Sequence, residues 1–328
     1  MLRLSIFFLT VMLHSELVLA DKTWAPYPES LRSFDYSQQN LDQHWQMLTG
    51  GFRGPLPTAL SLQSDAERWP ALYDYTRRHL QESSAAHPEL SYLLEGPLDG
   101  HFEAYARELR TAWSLLFNGR FKDARDLGLA LGPAGYFPAL YAQALHATLI
   151  ESDPEQRRAL LEEVISRTQE IRDLAPDHPI IRFGNAYGKA RTIEEMSATE
   201  ALGTGYTSDV LETLESLLEQ DAENIYAMTL LAGVQAGIIE KAGSFVARIT
   251  YGASESKMKA HFEKARELAP EYPGLYYEYA RAIIKVRGQD GEKAARDLLK
   301  KTSDMTPESA EEALLVQASA RLHQQLAD

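Results

Sequence analysis

Leu174-Ala175-Pro176-Asp177-His178-Pro179 returns 94 positions later as Leu268-Ala269-Pro270-Glu271-Tyr272-Pro273. In both copies a long charged, helix-forming run precedes the motif, and an apolar run containing Tyr follows it. Self-similarity of this kind predicts stacked helical hairpins rather than one globular catalytic core. The spacing fits two units of about 47 residues, longer than the about 34 of the commonest helical-hairpin repeat. Stacked hairpins mostly present a binding surface, and that sets the functional expectation.

Residues 1–20 read as a signal peptide. Arg3 supplies the positive start, Leu4 to Leu13 the short apolar run, and Val18-Leu19-Ala20 the small residues before a cleavage that leaves Asp21 first. An uncleaved N-terminal helix is the alternative reading. No later stretch holds about 18 uninterrupted apolar residues, so no membrane insertion is expected after cleavage. The compartment expected is periplasmic or secreted. The chain has no cysteine. That excludes disulfides, thiolate catalysis, Cys-ligated zinc and a lipid-modified N-terminal Cys. None of Asn40, Asn118, Asn185 and Asn224 opens a glycosylation sequon. A net charge of −14 without a Lys/Arg cluster argues against nucleic acid and anionic lipid as partners.

Four segments follow from the pattern. Residues 1–20 are the signal; 21–100 form an N-terminal arm and helical extension; 101–306 form the repeats; 307–328 form a C-terminal capping helix. In the extension, one helix is expected from a Ser37 cap to Thr49, and two more over 64–83 and 86–95. The capping helix is expected to start from Thr306 with Pro307 in its first turn. The oversized units carry their extra residues at 192–207 and 237–254, where a repeat array commonly builds its binding rim.

The first unit is the most regular. Trp113, Leu116, Gly119, Phe121, Ala124, Ala130-Leu131 and Pro133 follow the pattern of tetratricopeptide (TPR) repeats, which the chain resembles. The tight Asn118-Gly119 spacing departs from it. The resemblance implies an all-α, right-handed TPR-like α-solenoid of about five helical hairpins, in which Trp113, Gly119, Phe121, Ala124, Pro176 and Pro270 are structural. Within that family, residues 100–305 look like the T component associated with TRAP-type solute transporters. This would imply an accessory role beside a substrate-binding protein, with ligand passing through a helical pore or groove. The missing lipidation Cys departs from the lipoprotein members.

No nucleophile elbow, phosphate loop or His-Glu-x-x-His helix is present, and no two histidines beyond the signal segment are spaced as metal ligands on a helix. Hence no catalytic residue, metal or cofactor is expected. The pairs Glu162-Glu163, Glu194-Glu195 and Glu311-Glu312 point about 100° apart on a helix and read as solvated faces. Glu-Ser dipeptides invite comparison with lytic transglycosylases, but the segment that should follow is missing. Two sets of residues are candidates for contact with a ligand or partner. The run over 229–251 reads first as a central buried helix with a polar tip at Glu240-Lys241; in the functional reading Phe245, Arg248 and Tyr251 project from its extended end, where Arg248 between aromatics suits a carboxylate. Tyr276 and Tyr279 lie on a first helix of a repeat, where Tyr276 or Tyr277 reads first as core between hairpins and one of Tyr276, Tyr277 and Tyr279 must face outward. The expected function is non-enzymatic binding of a protein partner or small ligand in the cell envelope. An envelope-assembly scaffold and a cell-wall lyase are the alternatives, and homo-oligomerisation is left open. A deep tunnel with convergent Arg and aromatic residues would favour a small ligand; a broad open groove would favour protein.

Overall fold

The computed structural model describes residues 24–327; the expected signal peptide lies outside them. Among the described residues the chain is helical, with no strand. The N-terminal extension holds α1 (Leu41–Thr49), α2 (Ala59–Arg68), α3 (Pro70–Ser83) and two 3-10 turns, Pro88–Leu94 and Leu98–His101. Then come α4 (Phe102–Phe117), α5 (Phe121–Leu131), α6 (Pro133–Leu149), α7 (Pro154–Arg172), α8 (Pro179–Glu195), α9 (Ala198–Thr204) and α10 (Tyr206–Gln220). They are followed by α11 (Ile225–Ala242), α12 (Ser244–Tyr251), α13 (Glu255–Leu268), α14 (Pro273–Arg287), α15 (Glu292–Thr302) and α16 (Ala310–Gln325).

Proline starts five of these helices, α3, α6, α7, α8 and α14, where its fixed φ suits the first turn and its missing N–H costs nothing. Glycine stops or redirects others. Gly119 at φ +80° turns the chain between α4 and α5, and Gly243 at φ +79° breaks the run expected to continue past α11, so that α12 sets off separately. Trp69-Pro70 divides the helix expected over 64–83 into α2 and α3. The C-terminal helix begins later than expected: the Ser309 hydroxyl, not Thr306, accepts the Glu312 N–H, and Pro307 stays outside.

Helices that follow one another along the chain pack in pairs, α4/α5, α6/α7, α8/α10, α11/α13 and α14/α15, and α5 packs on α6 and α7 on α8 as closely. The first helices of the last four, α6, α8, α11 and α14, pack in succession. The last helix does more than cover the final hairpin. α16 packs on α14 and α15 and also on α4 and α6, so the array returns on itself. Ala310 and Leu314 of α16 share one buried cluster with Trp113, Phe117, Phe121 and Leu145 of the first two hairpins. The N-terminal arm clamps this joint. Tyr36 donates to the Glu308 carbonyl at 2.7 Å, Arg32 to the Pro307 carbonyl at 2.9 Å, and Asn118 exchanges two bonds with the Tyr36 backbone. Each buried Leu, Phe or Trp at the joint contributes about 1.5–3 kcal/mol of transfer free energy.

Candidate functional site

The closed arrangement leaves a central cavity of about 770 Å³. Its rings come from the inner helices: Phe137 and Tyr141 (α6), Phe183 and Tyr187 (α8), Tyr226 (α11) and Tyr277 (α14). Helical geometry explains the pairs. Residues four apart share a face, so Phe137 stacks on Tyr141, and Phe183 lies tilted beside Tyr187, along the wall.

The loop between α1 and α2 inserts Phe52 and Arg53 into the middle of the ring. Arg53 is buried between the faces of Tyr141 and Tyr226, 4.7 Å and 4.9 Å from their centroids. Its Nη2 donates to Glu311 Oε2 at 2.7 Å and to the Tyr141 hydroxyl at 3.2 Å. Glu311 Oε1 accepts from the hydroxyls of Tyr141 and Tyr272, the latter at 2.9 Å. One carboxylate thus ties together the inserted loop, α6, the start of α14 and α16. Burial opposes the charge on Arg53, but Glu311 and the tyrosines outweigh it and hold the guanidinium well above its ordinary range. Burial also pushes the Tyr141 and Tyr272 hydroxyls up, and Tyr226 to about 12. All three are neutral donors at physiological pH.

A second charged group joins α8 to α14. Arg191 Nη2 donates to Glu278 Oε1 at 2.7 Å and Nη1 to Glu194 Oε2 at 3.2 Å. Arg281 bridges the same two acids at 3.0 and 3.1 Å, and Lys285 reaches Glu194 Oε1 at 3.0 Å. Burial raises Glu194 and Glu278, yet the cations outweigh it: Glu194 is held well below the ordinary carboxylate range and Glu278 below it. Both are therefore ionised, and three cations face two carboxylates. Arg191 lies over the Tyr187 ring at 5.0 Å, and Tyr187 meets Tyr141 edge to face, so the wall runs unbroken from one guanidinium to the other. Arg53 Nη1 and Arg191 Nε are buried without a hydrogen-bond partner among the described residues.

The two copies of the Leu-Ala-Pro motif meet at this cavity. Their fifth residues, His178 and Tyr272, both line it. In the first copy Asp177 accepts from Trp69 Nε1 at 2.7 Å and Arg68 Nη2 at 2.8 Å, which fastens the N-terminal extension to the array. Those bonds hold the Asp177 carboxyl at about 2. Burial lowers His178, whose ring packs on Trp69, to about 4.

None of Phe245, Arg248, Tyr251, Tyr276 and Tyr279 lines the central cavity. Phe245 and Arg248 are exposed on α12, away from the network. Tyr251 lines a second, smaller cavity of about 290 Å³ under α9 and α12. Tyr276 and Tyr279 are core, their hydroxyls donating to the Pro270 carbonyl and to Glu263, because their face of α14 packs on α13 and α15. Tyr277, between them, is the one that turns to the cavity. Trp113, Phe121 and Ala124 are buried in the first hairpin, and Pro176 and Pro270 sit exposed in the turns after α7 and α13. Glu194 and Glu311 were expected on solvated faces; Glu311 is buried on its Arg partner and Glu194 is three-quarters buried in the network. Arg191 lies one helical turn from Glu194, but the other partners of Glu194, Arg281 and Lys285, and the Arg53 partner of Glu311, are too distant in sequence to be read.

Among the described residues no three His, Asp or Glu side chains gather as metal ligands, and no helix is long and apolar enough to cross a membrane. No protein-family model, curated protein or solved structure matches this chain.

Proposed function

We propose that this chain is an exported, non-enzymatic binding protein: a TPR-like right-handed helical array that holds a small organic ligand in its centre. The observation that carries the reading is the convergence of six aromatic rings and the Arg53 and Arg191 guanidiniums, from four inner helices and one inserted loop, on one cavity of about 770 Å³. That volume lies within the roughly 300–1,000 Å³ of small-molecule sites, and the mix of apolar wall and few polar groups is what such sites use for affinity and orientation. A protein partner would ask for an open groove, whereas these groups face inward. The likeness of residues 100–305 to the T component of TRAP-type transporters supports an accessory role beside a substrate-binding protein in the envelope.

The test is thermal unfolding of the exported protein against a panel of small organic acids, amines and neutral aromatics. A ligand at a hundredfold excess over its Kd stabilises by about 2.7 kcal/mol, an upward shift in Tm of several degrees. A panel-wide absence of shift, in protein first stripped by partial unfolding and refolding, would overturn the reading.

A further inference from the structure

The second cavity adjoins the first. Glu194, Gly233, Val234 and Lys285 line both, so the Glu194–Lys285 ion pair stands at the junction. Beyond it the wall is almost wholly apolar, built from residues such as Ile193, Ala201, Ile238 and Val246. Two glycines of α11 open this space. A Cβ added at Gly233 or Gly237 would meet nothing within 4 Å. At the outer rim, Leu202 and Val246 line the cavity while being 63% and 45% exposed, and Phe245 and Ile249 on the same short helix are 69% and 68% exposed.

The charges at the junction do not cancel. Arg191, Arg281 and Lys285 face only Glu194 and Glu278. Of the nearby acids, Glu195 pairs with Arg157, while Glu240 and Glu200, the latter within electrostatic reach of Lys241, are exposed to solvent. Lys241, a further cation on the cavity wall, donates to the carbonyls of Glu194 and Met196 at the end of α8. Lys285 has three N–H donors and one acceptor, Glu194. Three cations on two carboxylates leave the junction one net positive charge, which favours an anion, and an apolar chamber beside it favours a hydrocarbon tail.

We infer that the junction and second cavity form a site for an unbranched aliphatic monocarboxylate, its carboxylate on Lys285 and its chain along Gly237 under α9 and α12. At about 30 Å³ per water-sized group, a methylene being of similar size, a cavity of about 290 Å³ takes a chain of roughly ten carbons. This deepens the small-ligand reading and rests on it.

The test is calorimetric titration of the exported protein with hexanoate, octanoate, decanoate, decanol and decyltrimethylammonium, repeated on Gly237→Leu and Lys285→Met. Affinity should rise about fourfold per added CH₂ from hexanoate to decanoate. Decanol should bind at least tenfold more weakly than decanoate, and the cation not at all. Gly237→Leu, which has room to fold and improves helix propensity, should weaken decanoate at least tenfold. Lys285→Met should bring decanoate down to the level of decanol. Affinity independent of chain length, or unmoved by Gly237→Leu, would overturn the inference while the central-cavity reading survives on any other ligand that stabilises the protein. Binding of neither the carboxylates nor any compound of the wider panel would overturn both.

Discussion

Arg53 and Glu311 stand 258 residues apart in sequence, and their side chains meet at 2.7 Å in the closed centre of the fold. Both are buried, at 3% and 4% side-chain exposure. The pair links the inserted N-terminal loop to the first turn of the last helix, at the joint where the helical array returns on itself.

Breaking this pair from one side should be worse than removing it whole. Glu311→Ala leaves the Arg53 guanidinium buried with no carboxylate and two tyrosine hydroxyls without an acceptor, at a cost of about 3–5 kcal/mol. Arg53→Met with Glu311→Gln removes the stranded charge and keeps an acceptor for Tyr272, so the double variant should lose less than Glu311→Ala alone. Urea denaturation of wild type, both single variants and the double variant checks the order.

The neighbouring acid should set an alkaline weakness. Burial holds Glu312 at about 7, against 4.5 for the free side chain. The folded state therefore binds more protons than the unfolded state between those values, and stability falls as pH rises through that window. Glu312→Gln, which keeps an acceptor for the Glu308 N–H, should stabilise the protein by up to about 3 kcal/mol at pH 8 and by almost nothing at pH 4.5. Denaturant titrations at the two pH values measure the difference.

The network between α8 and α14 should have the opposite sign. Glu194 and Glu278 are held below the free value of 4.5, so the stability they confer is complete at neutral pH and drains away as pH falls below it. Arg191→Met takes one of three cations from these acids and leaves them Arg281 and Lys285, so it should cost about 1.5–3 kcal/mol at pH 7, and the gap from wild type should narrow between pH 5 and pH 3 as they protonate. A gap of constant size across that range would contradict the assignment. Urea midpoints taken at each pH supply the comparison.

The same substitution at two helical glycines should act in opposite directions. A Cβ at Gly135 would lie 2.3 Å from the Gly128 carbonyl oxygen, so Gly135→Ala forces α5 and α6 apart and should destabilise by at least about 2 kcal/mol. At Gly237 a Cβ meets nothing, and Gly237→Ala should stabilise by about 0.5–1 kcal/mol through helix propensity alone. Thermal melts of the two variants separate close packing from open space.

Much of the architecture was legible because its causes are local. Phe102 to Phe117 ran as one helix, as expected, with Trp113 buried on it, and Gly119 at the turn before the buried Phe121 and Ala124. The extra residues at 192–207 and 237–254 became α9 and α12, short helices on the rim of a cavity. The repeated Leu-Ala-Pro motif marked the turns after α7 and α13, and its fifth residues reached the central cavity. What could not be read was the closure. Nothing local tells that Ala310 and Leu314 pack on the first hairpins, or that Arg53, within a Gly- and Pro-rich linker, is buried at the centre. The paired acids misled for the same reason. Adjacent carboxylates are solvated by default, and it takes the distant Arg53 for Glu311, and Arg281 and Lys285 beside the local Arg191 for Glu194, to offset their burial.

The central claim is that the closed helical array holds a small organic ligand. Native mass spectrometry of the protein, purified from its native cells and sprayed without denaturation, tests it most directly. The account predicts a mass excess of one small organic molecule per chain, lost on denaturation and diminished in a Tyr226→Trp variant that crowds the cavity. A bare chain mass under the gentlest conditions, with the added library also failing to produce an adduct, would contradict it.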